Sequence, residues 1–167
     1  KVIKSVFNFY INASIHVALA VSALTWLTLI SFELDLDFNL ILFVFFATIT
    51  GYNFIKYFGL AKFHHRSLAK WLKIIQVFSA VAFILMCYFF LKLDAYLMLW
   101  IGGLALVTFL YAVPILPKKY FLDEQQNLRQ IGGLKVYIIA LVWSLVTVLL
   151  PVLNEEMKYD TSIWLSL

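Results

Sequence analysis

Charge is scarce in this chain: Asp, Glu, Lys and Arg make up 13% of 167 residues, and none of the nine carboxylates falls inside a long apolar run. An intramembrane proton relay or a carboxylate-coordinated ion path needs an acidic side chain at depth, so the spans offer neither. There is one cysteine, Cys87, in the middle of AFILMCYFF. With no second thiol and no metal-ligating neighbours, it reads as a small apolar core residue. Proline occurs three times, at 114, 117 and 151, where the first two end a helix and the third kinks or ends one. No Gly-rich phosphate loop, HExxH or GxSxG motif occurs, and we find no internal repeat or low-complexity tract.

What is abundant is apolar surface: 64% of residues are hydrophobic, 18% are aromatic, and the mean hydropathy is +0.94. The apolar residues gather in five uncharged runs, at 5 to 32, 38 to 55, 74 to 91, 95 to 117 and 136 to 154. An 18-residue helix is about 27 Å long, close to the ~30 Å of hydrocarbon in a bilayer. A membrane β-barrel is excluded, because FNLILFVFFATI and IIALVWSLVTVLLPVL are apolar on every side, where barrel strands alternate. The expected fold is all-α: a polytopic transmembrane helical bundle forming one domain over 1 to 167. Its five spans are expected near 5–32, 38–61, 71–91, 95–116 and 135–153.

Lys1 and Lys4 before an apolar stretch containing Ala18-Leu19-Ala20 imitate a secretory signal. A signal core is about 7 to 15 residues long, and this stretch runs uncharged through Phe32, so a retained first helix is expected. The chain begins without Met and ends in the apolar segment TSIWLSL. Residues before Lys1 are therefore expected, and 161 to 167 read either as the start of a sixth helix or as a short interfacial anchor.

Positive charge is distributed unevenly between the connections. Lys62, Arg66, Lys70 and Lys73 follow the second run, and Lys118, Lys119, Arg129 and Lys135 follow the fourth. The other connections carry Glu33, Asp35 and Asp37, or Lys92 and Asp94. By the positive-inside rule the N-terminus is cytoplasmic. The net charge of +4 and pI of 9.1 reflect this bias, and no nucleic-acid partner is needed to explain them.

The informative residues are the polar ones that lipid should exclude. Asn8, Asn12 and His16, spaced i, i+4, i+8, form a stripe on the first helix. Thr50, Asn53, Lys56 and Tyr57 cluster near the end of the second, in the same leaflet. Two readings compete: a cavity open to the cytoplasm, or interhelical hydrogen bonds with Lys56 reaching to the headgroups. His64-His65-Arg66 reads as a solvated basic loop rather than a metal site, for no carboxylate or thiol is near. Gly51, Gly59, Gly102 and Gly103 are expected at close helix contacts.

Over its whole length the chain resembles, in helix order and in two segments, the UbiA superfamily of intramembrane prenyltransferases. The second helix ends TGYNFIKYFGLAK, with Asn53 in the place of the asparagine of that family's aspartate-rich motif. The fourth ends LYAVPILPKK, giving Tyr111, Pro114, Lys118 and Lys119, and NLRQIGGLK then leads into a fifth helix similar to divergent Bacteroidetes-type members. The resemblance implies a bacterial inner-membrane location, the N-terminal part of a larger bundle of about nine helices, and an isoprenoid or quinone-type lipid as ligand.

It also implies Mg²⁺, but Phe54, Tyr57 and Ala61 stand where the aspartates should hold it, and none is a magnesium ligand. No cofactor or metal site is therefore assigned, and transferase activity is left open. What the resemblance retains is a candidate lipid or diphosphate cradle of Lys56, Lys62, Arg66, Lys118 and Lys119, with Asn12, His16, Asn53 and Tyr111 beside it. The alternative is a non-catalytic accessory or structural subunit of a larger inner-membrane complex, with a membrane-protein partner. If Asn12 and His16 line a cavity with Asn53, the lipid-binding reading gains; if they contact another helix closely, the structural one does.

The charge asymmetry predicts that, in a Cys87→Ala background, single cysteines at Ser67 and Asp35 react with an impermeant thiol reagent from opposite faces of the membrane. Labelling of both from the outer face would refute the topology.

Overall fold

A computed structural model describes residues 2–63, 70–112 and 133–156. All regular structure among them is helical, as the unbroken apolar runs require when each backbone N–H and C=O must pair within its own segment. The elements are α1 (Val2–Asn12), α2 (Ile15–Ser31), α3 (Phe38–Phe63), α4 (Lys70–Phe90), α5 (Ala95–Ala112) and α6 (Leu134–Ser144). After α6 the chain passes through a π-helical segment, Leu145–Leu149, and stays helical to Glu156.

Among the described residues, three helical stretches are long and apolar enough to cross a membrane: Phe38–Tyr57, Leu72–Phe90 and Val136–Glu156. Their outward side chains are largely uncovered, with Ile74, Val77 and Ile84 of α4 each more than half exposed, a surface suited to lipid rather than water. The expected fourth span is described only as far as Ala112, and the remainder of 95–116 lies outside the described residues.

The first span differs from expectation. Instead of one helix over 5–32, the chain breaks at Ala13-Ser14, and α1 and α2 meet at a 60° bend. Ser14 is buried and left-handed, with φ 60° and ψ 22°, and its N–H turns back to the Ile11 carbonyl at 3.2 Å. A left-handed non-glycine residue costs roughly 1–3 kcal/mol, so the surroundings must hold it there. At the other end α2 closes conventionally: Glu33, at φ 55°, lets Leu34 N–H reach the Leu29 carbonyl (2.8 Å) and Glu33 N–H reach Ile30 (3.2 Å). Asp37 then starts α3, its Oδ1 accepting the N–H of Asn39 at 2.9 Å and of Leu40 at 3.2 Å.

The chain divides into two compact units, Lys1–Leu93 and Asp94–Leu167. In the first, α3 packs on both α2 and α4. Buried Ile49 of α3 sits between two small residues, Ala18 of α2 and Ala82 of α4, with Phe45, Phe46 and Phe78 closing around them. Ring contacts extend the seam: Phe46 stacks on Phe89 at 5.9 Å, and Phe43 meets Phe90 at 6.0 Å. Thr25, Thr28 and Thr48 satisfy themselves within their helices, each donating to the carbonyl four residues back. Cys87 is half-buried rather than in this core.

In the second unit Pro151 does not end the last helix. Proline has no N–H for the Thr147 carbonyl and its ring crowds that oxygen, so the turn before it widens: Leu150 N–H bonds Leu145, five residues back.

The glycines also depart from expectation. A Cβ on Gly51, Gly102 or Gly103 would meet no atom within 4 Å, so none marks a close contact among the described residues. Gly59 falls where side-chain surroundings are outside the described set. Gly51→Ala should consequently raise stability, by at most about 1 kcal/mol, through helix propensity alone. Reversible unfolding in mixed micelles measures this, and a clear loss of stability would show that Gly51 does make a close contact.

Candidate functional site

Breaking a helix leaves carbonyls without their i+4 donors, and at Asn12 and Ala13 these oxygens face α3. There Asn53, Lys56 and Tyr57, spaced i, i+3, i+4, share one face of the helix. Tyr57 Oη donates to the Asn12 carbonyl at 2.8 Å, and Lys56 Nζ donates to the same oxygen at 3.2 Å. Asn53 Nδ2 donates to the Ala13 carbonyl at 3.2 Å and to Ser79 Oγ of α4 at 2.8 Å. Since a carbonyl can only accept, the contact to Ala13 fixes which end of the Asn53 amide is nitrogen. The Lys56 ammonium also sits at the C-terminal end of α1, where the helix dipole favours a cation. The result is a joint in which one face of α3 holds the bend and Asn53 extends the tie to α4.

Of the residues picked out by sequence, Asn53, Lys56 and Tyr57 come together at this joint, and Asn12 joins them through its backbone. The proposed stripe of Asn8, Asn12 and His16 does not survive the break, since the first two lie on α1 and the third on α2. His16 neighbours the Tyr10 ring, with centroids 5.8 Å apart, and its Nδ1 is buried without a hydrogen-bond partner among the described residues. Lys62 and Tyr111 belong to α3 and α5, but their side chains lie outside the described residues, as do Arg66, Lys118 and Lys119 altogether. The basic cradle therefore shows only Lys56, and that cation is turned to Asn12. Ser79 was missed in the sequence reading. Its signal was there: Gln76 and Ser79, three apart, are polar residues on one face within the run 74 to 91.

On its α4 side Asn53 borders an open groove of about 310 Å³ between α3 and α4. Thr50, Tyr57, Gln76 and Ser79 supply its polar lining, and Phe54 and Phe83 its apolar walls. Asn12 and His16 do not line it. Thr50 Oγ1 and Asn53 Oδ1 are buried without a hydrogen-bond partner among the described residues. In the second unit a separate groove of about 410 Å³ runs between α5 and the π-helical stretch, walled by apolar side chains such as Trp100, Leu104, Leu149 and Leu153.

Magnesium does not fit this site. Phe54 is a hydrocarbon, the Tyr57 hydroxyl is committed to a backbone carbonyl, and no group of three or more His, Cys, Asp or Glu among the described residues could hold a metal ion. Comparison of the chain with protein-family models, with curated proteins and with solved structures finds no match.

The joint predicts graded losses of stability. Tyr57→Phe removes one of two donors to Asn12 and should cost about 0.6–1.7 kcal/mol, the range for hydrogen bonds between membrane helices. Asn53→Leu strands the Ala13 carbonyl and removes two bonds, so it should cost more, roughly 2–3 kcal/mol. Adding Ser79→Ala to Asn53→Leu should then cost little, because the bond is already gone. Additive losses in that double-mutant cycle, measured by micelle unfolding, would show that Asn53 and Ser79 are not coupled.

Proposed function

We propose that this chain is a non-catalytic helical component of a bacterial inner-membrane assembly, crossing the bilayer five times from a cytoplasmic N-terminus. One observation carries the reading: the donors of Asn53, Lys56 and Tyr57 point at the carbonyls of the broken first helix, which makes the polar cluster a structural joint. Asn12, which could have lined a cavity, is instead in contact with α3. The membrane partner would meet the exposed apolar faces of the helices.

A second reading rests on the groove beside the joint. A polar floor of Thr50, Asn53 and Ser79 between Phe54 and Phe83 suits an amphiphile with a small headgroup, in keeping with the resemblance to UbiA-type proteins and a prenyl or quinone-type lipid. Both readings exclude magnesium-dependent prenyl transfer by the described residues, because the largest catalytic contribution available to such an enzyme, neutralising the developing diphosphate charge, has no ligands to support it.

The readings separate in one experiment on the full chain in nanodiscs. A photoreactive prenyl diphosphate and a photoreactive quinone should label it no more than a photoreactive phospholipid does. Saturable labelling on α3 and α4, competed by the unmodified lipid and lost in Ser79→Phe, would favour the second reading. Turnover of a prenyl diphosphate with an aromatic acceptor, abolished by removing magnesium, would overturn both.

A further inference from the structure

We infer that α1 is not part of a membrane span but lies in the membrane–water interface, held along the surface by the joint with α3. Length is the first argument. From Ile15 to Ser31, α2 has 17 residues and is about 25 Å long, enough with its flanking turn to match the hydrocarbon thickness. A straight helix that included α1 would exceed 40 Å by the same ~1.5 Å rise and overshoot the bilayer. The 60° bend removes the excess.

The faces of α1 give the second argument. At about 100° per residue, Val6, Ile3, Phe7 and Ile11 fall within an arc of about 140°, and Lys4, Asn8, Asn12 and Ser5 within the adjoining ~100°. Ile3 is 86% exposed, Val6 62% and Phe7 61%, so the first two turns of this arc have no cover among the described residues, while Tyr10 further along it is half-buried beside His16. Lys4, Ser5 and Asn8 are exposed as well. Contact with the rest of the unit is made near the end of the helix, by Phe9 edge-on against Phe78 of α4 at 5.3 Å and by Tyr10 beside His16 of α2 at 5.8 Å.

In the hydrocarbon the polar arc would be stranded, and in water the apolar arc would be. Only the boundary between headgroups and acyl chains suits both, with Lys4 favouring anionic headgroups. The occupant of the apolar face is the bilayer surface itself, continuous with the lipid around α2. The bend stays open because Asn53, Lys56 and Tyr57 pair the carbonyls that a straight helix would pair internally.

Spin labels on single cysteines at positions 3, 4, 6, 7, 8 and 11 of the full chain, in a Cys87→Ala background, test this in vesicles of phosphatidylethanolamine and phosphatidylglycerol. Collision rates with oxygen and with a water-soluble nickel chelate should oscillate with helical period: 3 and 7 deepest in lipid, 6 and 11 shallower, 4 near the boundary and 8 in water. A depth that changes steadily from 3 to 11 would mean that α1 enters the bilayer, and the inference would fail. It would fail equally if labels at 3, 6 and 7 were immobile and shielded from both reagents, since another protein surface would then cover the arc.

Discussion

The carbonyl oxygens of Asn12 and Ala13 must find donors outside their own helix, and the first unit is organised around that need. An unpaired carbonyl in an apolar environment costs several kcal/mol, comparable to much of a small domain's net stability. Three side chains of α3 meet the demand, and one of them, Asn53, ties the same point to Ser79 of α4. The left-handed Ser14 is tolerable because the strain of one residue is offset by the several hydrogen bonds that hold the bend.

This alters the meaning of polar residues inside an apolar chain. An intramembrane Asn–Lys–Tyr face is a reasonable sign of a ligand site, because such residues are expensive and need a reason to be there. Here a reason exists within the fold. Donors committed to backbone oxygens cannot also grip a diphosphate unless the joint opens, which separates the holding of a lipid beside the joint from chemistry performed by it. The groove between α3 and α4 adjoins the joint and shares Asn53, Tyr57 and Ser79 with it, so an occupant there would touch side chains whose donors are already committed.

At Gly51 and at Pro151 the surroundings decided between the roles such residues can play. Gly51 was read as a close contact and Pro151 as a kink or an end. No neighbour approaches Gly51, and the helix does not end at Pro151 but widens the turn before it into a π-helical segment. Conversely, the true break falls at Ala13-Ser14, in a stretch without glycine or proline, where Ser14 as N-cap of α2 is the one local hint of a boundary.

The helical class and apolar character were legible in the sequence, because run length, absence of alternation and absence of charge are local properties that lipid enforces directly. The clustering of Asn53, Lys56 and Tyr57 was legible too, since helical periodicity alone puts residues three and four apart on one face. What that face touches was not. The bend of α1, the pairing of Asn12 and Ala13 through their backbones, and the recruitment of Ser79 depend on oxygen atoms every residue carries, so no side-chain pattern announces them. Only the packing of α3 between α2 and α4 brought donors to those carbonyls, and that tertiary placement turned a stripe of polar residues into a joint.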